Sequence, residues 1–140
     1  MWLAGGDTTK VIKRVSTTYD DWLPYLPDPT AYAQAWDRIR AQAVREVTPA
    51  LYATINLNDD KARADEELDE HLRAYHGQPL DVMHYVQAIR GGSAQECLAW
   101  PARYVDAGAR HLILRIGSLT ARPESVAETL LPALKELGTP

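Results

Sequence analysis

One cysteine, Cys97, stands in 140 residues, so no disulfide framework exists and the fold must be held by packing. That usage fits a reducing cytoplasm. No run of about 18 apolar residues occurs, which argues against a membrane-spanning helix. Met1 leads into Trp2-Leu3-Ala4 without a basic segment and a long apolar core, so no secretory signal is expected. Lys and Arg form no cluster and the net charge is −4, a balance unsuited to gripping nucleic acid nonspecifically. No repeat, low-complexity stretch or linker divides the chain. Residues 1–140 therefore read as a single domain, and with 46% hydrophobic and 24% charged residues they have material for an ordinary globular core.

What the chain does contain is an alternation of strand and helix signals. Trp2-Leu3-Ala4 is a short apolar run ending at Gly5-Gly6, and Val11, Ile12 and Val15 follow at helical spacing. Trp22-Leu23 reads as a brief strand before Pro24 and Pro27. Asp28-Pro29 opens a helix carrying Tyr32, Ala35, Trp36, Ile39, Ala43 and Val47 on one face, with Pro49 as its stop. Leu51 to Leu57 alternates as a strand. Asn58-Asp59 caps a charged helix over about 61–75, which Gly77 ends. Residues 81–89 read as a short helix or loop, and Gly91-Gly92-Ser93 opens a helix toward Asp106 that Pro101 should kink or split. His111 to Ile116 is the clearest strand, and a last helix runs from Pro123 to Leu137. About four strand–helix units at this cadence imply parallel strands joined by right-handed crossovers, an α/β fold.

In such sheets ligands bind beyond the C-terminal strand ends. That places Gly5, Gly6, Asp7 and Thr8 at a rim, together with Asn56, Asn58, Arg115, Gly117 and Ser118. The Gly-Gly turn lets the backbone approach a ligand, and a helix start offers free amides and the positive end of a dipole to a phosphate. The same residues also make a plain turn with Asp7 or Thr8 as N-cap. In the last strand His111, Ile113 and Arg115 share one face, opposite Leu112, Leu114 and Ile116. The apolar face belongs under helices, so Arg115 points into a barrel or cleft. There it needs a buried carboxylate or an anionic ligand. Asp65, Glu66, Glu67, Asp69 and Glu70 read as a solvated helix surface with Arg63 and Arg73 as counter-charges. His71, His76 and His84 lack metal-ligand spacing, so no metal is expected. Cys97 reads as a buried small hydrophobe.

The stretch Trp2-Leu3-Ala4-Gly5-Gly6 followed by Asp20-Asp21-Trp22-Leu23-Pro24 resembles the "WIGG…ADGWLP" segment of luciferase-like monooxygenases. Gly92-Ser93-Ala94-Gln95-Glu96 and then Tyr104 to Arg115 resemble their "GSPEEV…YVDAGVRHLVLR" segment. The resemblance implies the parallel (βα) half of a TIM-type barrel, the C-terminal half of a longer enzyme. It also implies a flavin- or deazaflavin-dependent oxidoreductase or monooxygenase acting on a small organic substrate. FMN and a deazaflavin coenzyme remain open as the cofactor, and no catalytic residue is assigned. Gly5, Gly6, Asp7 and Thr8 would hold the cofactor phosphate, with Arg115 assisting at anionic groups.

Three departures matter. Asp7 stands where many members carry Ser or Asn, and its carboxylate opposes a phosphate. Asp21 replaces a Gly, and Pro101 interrupts a helix normally free of it. A complete barrel needs about 250 residues. Half of one would expose two strand edges and an apolar inner face, and so calls for a homo-oligomer or a missing N-terminal half. The alternative reading is a noncatalytic α/β binding or assembly module that kept the fold and lost the reaction.

Overall fold

The computed structural model of the protein describes residues 1–137. The first half runs β1 (Trp2–Ala4), α1 (Thr9–Thr18), β2 (Asp21–Leu23), α2 (Pro29–Gln42) and β3 (Thr48–Leu57). The second half runs α3 (Lys61–His76), α4 (Leu80–Met83), β4 (Ile89–Gly92), α5 (Ala94–Asp106), β5 (His111–Ile116) and α6 (Pro123–Glu136). Side chains at the helix starts explain these boundaries. Thr8, Asp28 and Asp60 each accept a first-turn amide, and Ser93 with Glu96 closes a reciprocal capping box.

All strand pairs are parallel. β1, β2, β3 and β5 form a four-strand wall, matching the four units expected. β4 is a fifth, short strand that the sequence reading missed, because Ile89-Arg90-Gly91-Gly92 is brief and half glycine. It pairs with Thr54 to Leu57, above the Thr48–Pro49 segment that pairs with β2. The amides of Thr48, Tyr52, Thr54 and Asn58 reach Asp20, Pro24, Ala88 and Gly92 in turn. Alternate residues of a strand bond to the same side, so β2 and β4 share one edge of β3 and β5 takes the other.

That arrangement decides where α3 lies. The step from β3 to β4 runs back toward β2, and right-handed connection then puts α3 on the face opposite α2 and α5. Contacts agree: Tyr75 of α3 touches Arg115, and Glu67 bonds Asn56. The outer face carries Leu3, Trp22, Leu51, Ala53, Ile55, Leu112, Leu114 and Ile116, packed in the main core with residues of α1, α2, α5 and α6. The registers put Trp2, Asp21, Thr48, Tyr52, Thr54, Asn56, His111 and Arg115 on the inner face. Ala4, Leu23, Ala50 and Ile113 share that face, so the expected apolar inner face is mixed, and α3 covers its upper part.

The wall is curled. Trp2 and His111 bring their rings to 5.3 Å although β2 and β3 lie between them. In a flat sheet those strands would stand roughly 14 Å apart, at about 4.8 Å per step. Inward side chains meet this way only across a concave surface.

Three boundaries differ from expectation. α2 ends at Gln42, with the Ala43 amide closing on Ile39. Val47 lies beyond that end and is apolar because the connecting segment itself enters the core. Pro49 sits inside β3, where its missing N–H faces a side that β5 reaches only from residue 50 upward. Pro101 does not split α5, which runs unbroken with the proline buried against the core.

Candidate functional site

The opening turn stands at the C-terminal end of β1, as expected. The Gly5 amide donates to Leu23 O (3.3 Å), and the indole of fully buried Trp22 donates to Gly6 O (3.3 Å). The core thereby holds the turn from below. The two glycines do different work. A Cβ on Gly5 would press on the Val11 methyls at 3.1–3.2 Å, so Gly5 serves the packing of α1 on β1. A Cβ on Gly6 would meet only Leu26 at 3.9 Å, which leaves its outer side open.

Thr8 is the N-cap, its hydroxyl accepting from the Val11 amide at 3.3 Å. Among the described residues no hydrogen bond engages the amides of Asp7, Thr8, Thr9 or Lys10. These four donors, with the helix dipole behind them, are what an anion needs. The Asp7 carboxylate works against one. Arg38 of α2 brings a positive charge to the turn, donating to the backbone carbonyl of Asp7 at 3.2 Å and to Thr9 Oγ1 at 3.1 Å. Sequence reading missed Arg38 because it is one of several arginines on the polar side of a helix. Only the packing of α1 on α2 brings it to the turn.

Arg115 lies elsewhere. It sits on the inner face of β5, with β2 and β3 between that strand and β1 along the sheet. No carboxylate pairs with it among the described residues. Its guanidinium instead lies 3.6 Å from the centroid of the Tyr75 ring, with one nitrogen 3.5 Å from the Tyr52 hydroxyl. Of the two sources of compensation open for this residue, the buried carboxylate is absent.

The other rim residues are used structurally. Asn58 accepts the Asp60 amide, Ser118 accepts those of Thr120 and Ala121, and Gly117 lies under Leu68. Asn56 is buried and donates to Glu67 (2.9 Å) and Gly117 O (3.1 Å), while its own oxygen has no partner among the described residues. His71 is buried against Tyr75, its Nε2 without a partner among the described residues. Burial, then Arg115 and His76, holds its pKa below the usual histidine value. The acidic residues of α3 pair along the helix: Lys61 with Asp65, Arg63 with Glu66 (3.0 Å) and Glu67 (3.2 Å), and Arg73 with Asp69 (2.6 Å). Among the described residues no group of three His, Cys, Asp or Glu could hold a metal. None of the described helices is long and apolar enough to cross a membrane.

No protein-family model and no curated protein matches the sequence. Solved structures do match the fold. An F420-dependent secondary alcohol dehydrogenase in complex with an F420-acetone adduct superposes with a TM-score of 0.71 at 15% identity, over 95% of this chain and 48% of that one. DmoA from Hyphomicrobium sulfonivorans gives 0.66 at 16% identity, over 98% and 41%. The coenzyme F420-dependent tetrahydromethanopterin reductase from Methanopyrus kandleri gives 0.67 at 11%, over 95% and 50%. The chain spans about half the length of these structures or less. At such identities the likeness shows the fold: parallel strands alternating with helices, as in half of a TIM-type barrel.

Proposed function

We propose that the chain forms one half of the barrel of a luciferase-like oxidoreductase or monooxygenase dependent on a deazaflavin or FMN, acting on a small organic substrate. The observation that carries this reading is the turn Gly5-Gly6-Asp7-Thr8. Four open amides and the Arg38 guanidinium meet there at the C-terminal end of a parallel strand. This donor set suits the phosphate of such a cofactor, and two of the structurally similar enzymes are F420-dependent. Thr8 keeps the helix start in place, Trp22 fixes the turn to the core, and Arg38 adds a positive charge beside it. The bound cofactor would supply hydride or electron transfer. The inner face would form one wall of the cavity, the other wall coming from a second copy of this chain or an N-terminal half.

Titration of the purified protein with reduced FMN and with a reduced deazaflavin tests the reading. Saturable binding, loosened more than about tenfold by Thr8→Ala combined with Gly6→Val, is the expected result. Absence of saturable binding to either refutes it and leaves a noncatalytic α/β binding or assembly module.

A further inference from the structure

The four-strand wall has two open edges, and the helices beside them carry opposite charge. Seen from outside with the strands pointing up, right-handed connections order β1, β2, β3 and β5 from left to right. The Gly5 amide faces β2 and the Arg110 amide faces β3. By alternation the amides of Trp2 and Ala4, and those of His111, Ile113 and Arg115, point to edges where no strand lies among the described residues. Between β5 and α6 an open groove of about 430 Å³ is lined in part by Leu112, Leu114, Leu131 and Leu134, with Leu131 46% exposed.

α1 meets α2 through Ser16, whose hydroxyl donates to Ile39 O, so the flank with Val11 and Arg14 turns to the open side. Lys10 and Arg14 are the second and sixth residues of α1, which has no acid. α6 buries Val126 and Leu130; at about 100° per residue, Glu124, Glu128 and Leu131 then lie on the flank toward the open edge of β5. Glu124 and Glu128 are the second and sixth residues of α6. Both helices start at the same rim, so the two charged pairs stand at one height. All four side chains are exposed, and none forms an ion pair among the described residues. The curl of the wall agrees. Trp2 and His111, on its first and last strands, meet across the concave side, and a barrel of about eight strands is just narrow enough for inward side chains to do so.

We propose that a second copy of the chain closes the barrel about a two-fold axis, β5 of each copy pairing in parallel with β1 of the other. Glu124 and Glu128 of each α6 then face Lys10 and Arg14 of the other copy's α1. Leu3 of the second copy extends the outward row of Leu112 and Leu114, and its inner face supplies the missing wall of the cavity. Complementary edges at one height on the same chain are what a self-partner requires. The proposal rests on the half-barrel reading above and not on the identity of the cofactor.

Sedimentation of the whole chain at micromolar concentration is expected to show twice the chain mass. Reversing the acids (Glu124→Lys with Glu128→Lys) or the cations (Lys10→Glu with Arg14→Glu) is expected to weaken the dimer at least about tenfold. Mixing the two reversed chains is expected to restore it, because both seams of the mixed pair again join opposite charges. All four changes in one chain are expected to do the same. Recovery of this kind shows that the variants fold. A monomer, a species larger than a dimer, or a weakening that mixing does not relieve overturns the proposal. The cofactor titration reads separately: a dimer that obeys the charge exchange and binds neither flavin nor deazaflavin removes the cofactor reading and supports the closed barrel.

Discussion

Replacing Gly108 by Ala couples backbone strain, core packing and the candidate site. Gly108 joins α5 to β5 with φ at +120°, a conformation L-residues rarely adopt, and imposing it on alanine costs about 2 kcal/mol. A Cβ there would also lie 2.5 Å from Trp36 Cδ1 and 2.8 Å from its Nε1. Trp36 lies nearly parallel to Trp22, ring centroids 6.4 Å apart, so it cannot retreat without disturbing the core; overpacking adds about 2 kcal/mol. The total, about 4 kcal/mol, is a large part of the roughly 10 kcal/mol that stabilises a domain of this size. It should lower Tm by about 15 °C. Gly77→Ala is the control. Gly77 also has positive φ, +67°, but a Cβ would meet nothing within 4 Å, so only a backbone cost of about 1 kcal/mol and about 4 °C remains. Thermal melts followed by circular dichroism compare the two. Because Trp22 holds Gly6 O, Gly108→Ala should also speed hydrogen exchange at the bonded amides of the turn, Gly5, Val11 and Ile12, whereas Gly77→Ala should not. Equal Tm shifts, or unchanged exchange at the turn, would refute the reasoning.

Two further outcomes are expected. His71 has its pKa held below the unfolded value of 6.5, so the unfolded chain takes up a proton first as pH falls. Its contribution to stability is complete above about pH 6.5 and declines as pH drops through that value toward the folded pKa. Urea midpoints between pH 7.5 and 5 should fall, and His71→Leu should flatten the profile. Cys97 is fully buried and its thiol pKa is raised by burial, so an aromatic disulfide reagent at neutral pH should modify it only after urea unfolds the chain. Rapid modification of the native protein would mean that the α5 side of the core opens readily.

Local chemistry made most elements legible. Asp28-Pro29, Ser93 with Glu96, and Gly77 mark helix ends through bonds within a few residues, and the alternation of His111 to Ile116 assigns both faces of β5. The turn Gly5-Gly6-Asp7-Thr8 was readable for the same reason. β4 escaped because its signal is not in its own four residues. Gly91 is glycine because Leu68, 23 positions earlier, would lie 2.8 Å from a Cβ. Pro101 misled because the penalty for a proline within a helix is local, while what keeps α5 whole is the core against which the proline is buried.

By itself the sequence determined the parallel α/β class, the outward and inward faces of the strands, and the rim position of the glycine turn, since each follows from short-range periodicity and capping. Tertiary structure alone decided that Arg38 stands beside the turn, that α3 crosses to the inner face, and that Tyr75 rather than a carboxylate covers Arg115. Those contacts join residues 11 to 40 positions apart. Which side chain fills such a contact depends on the direction of a crossover and the curl of the sheet, and no local pattern encodes either.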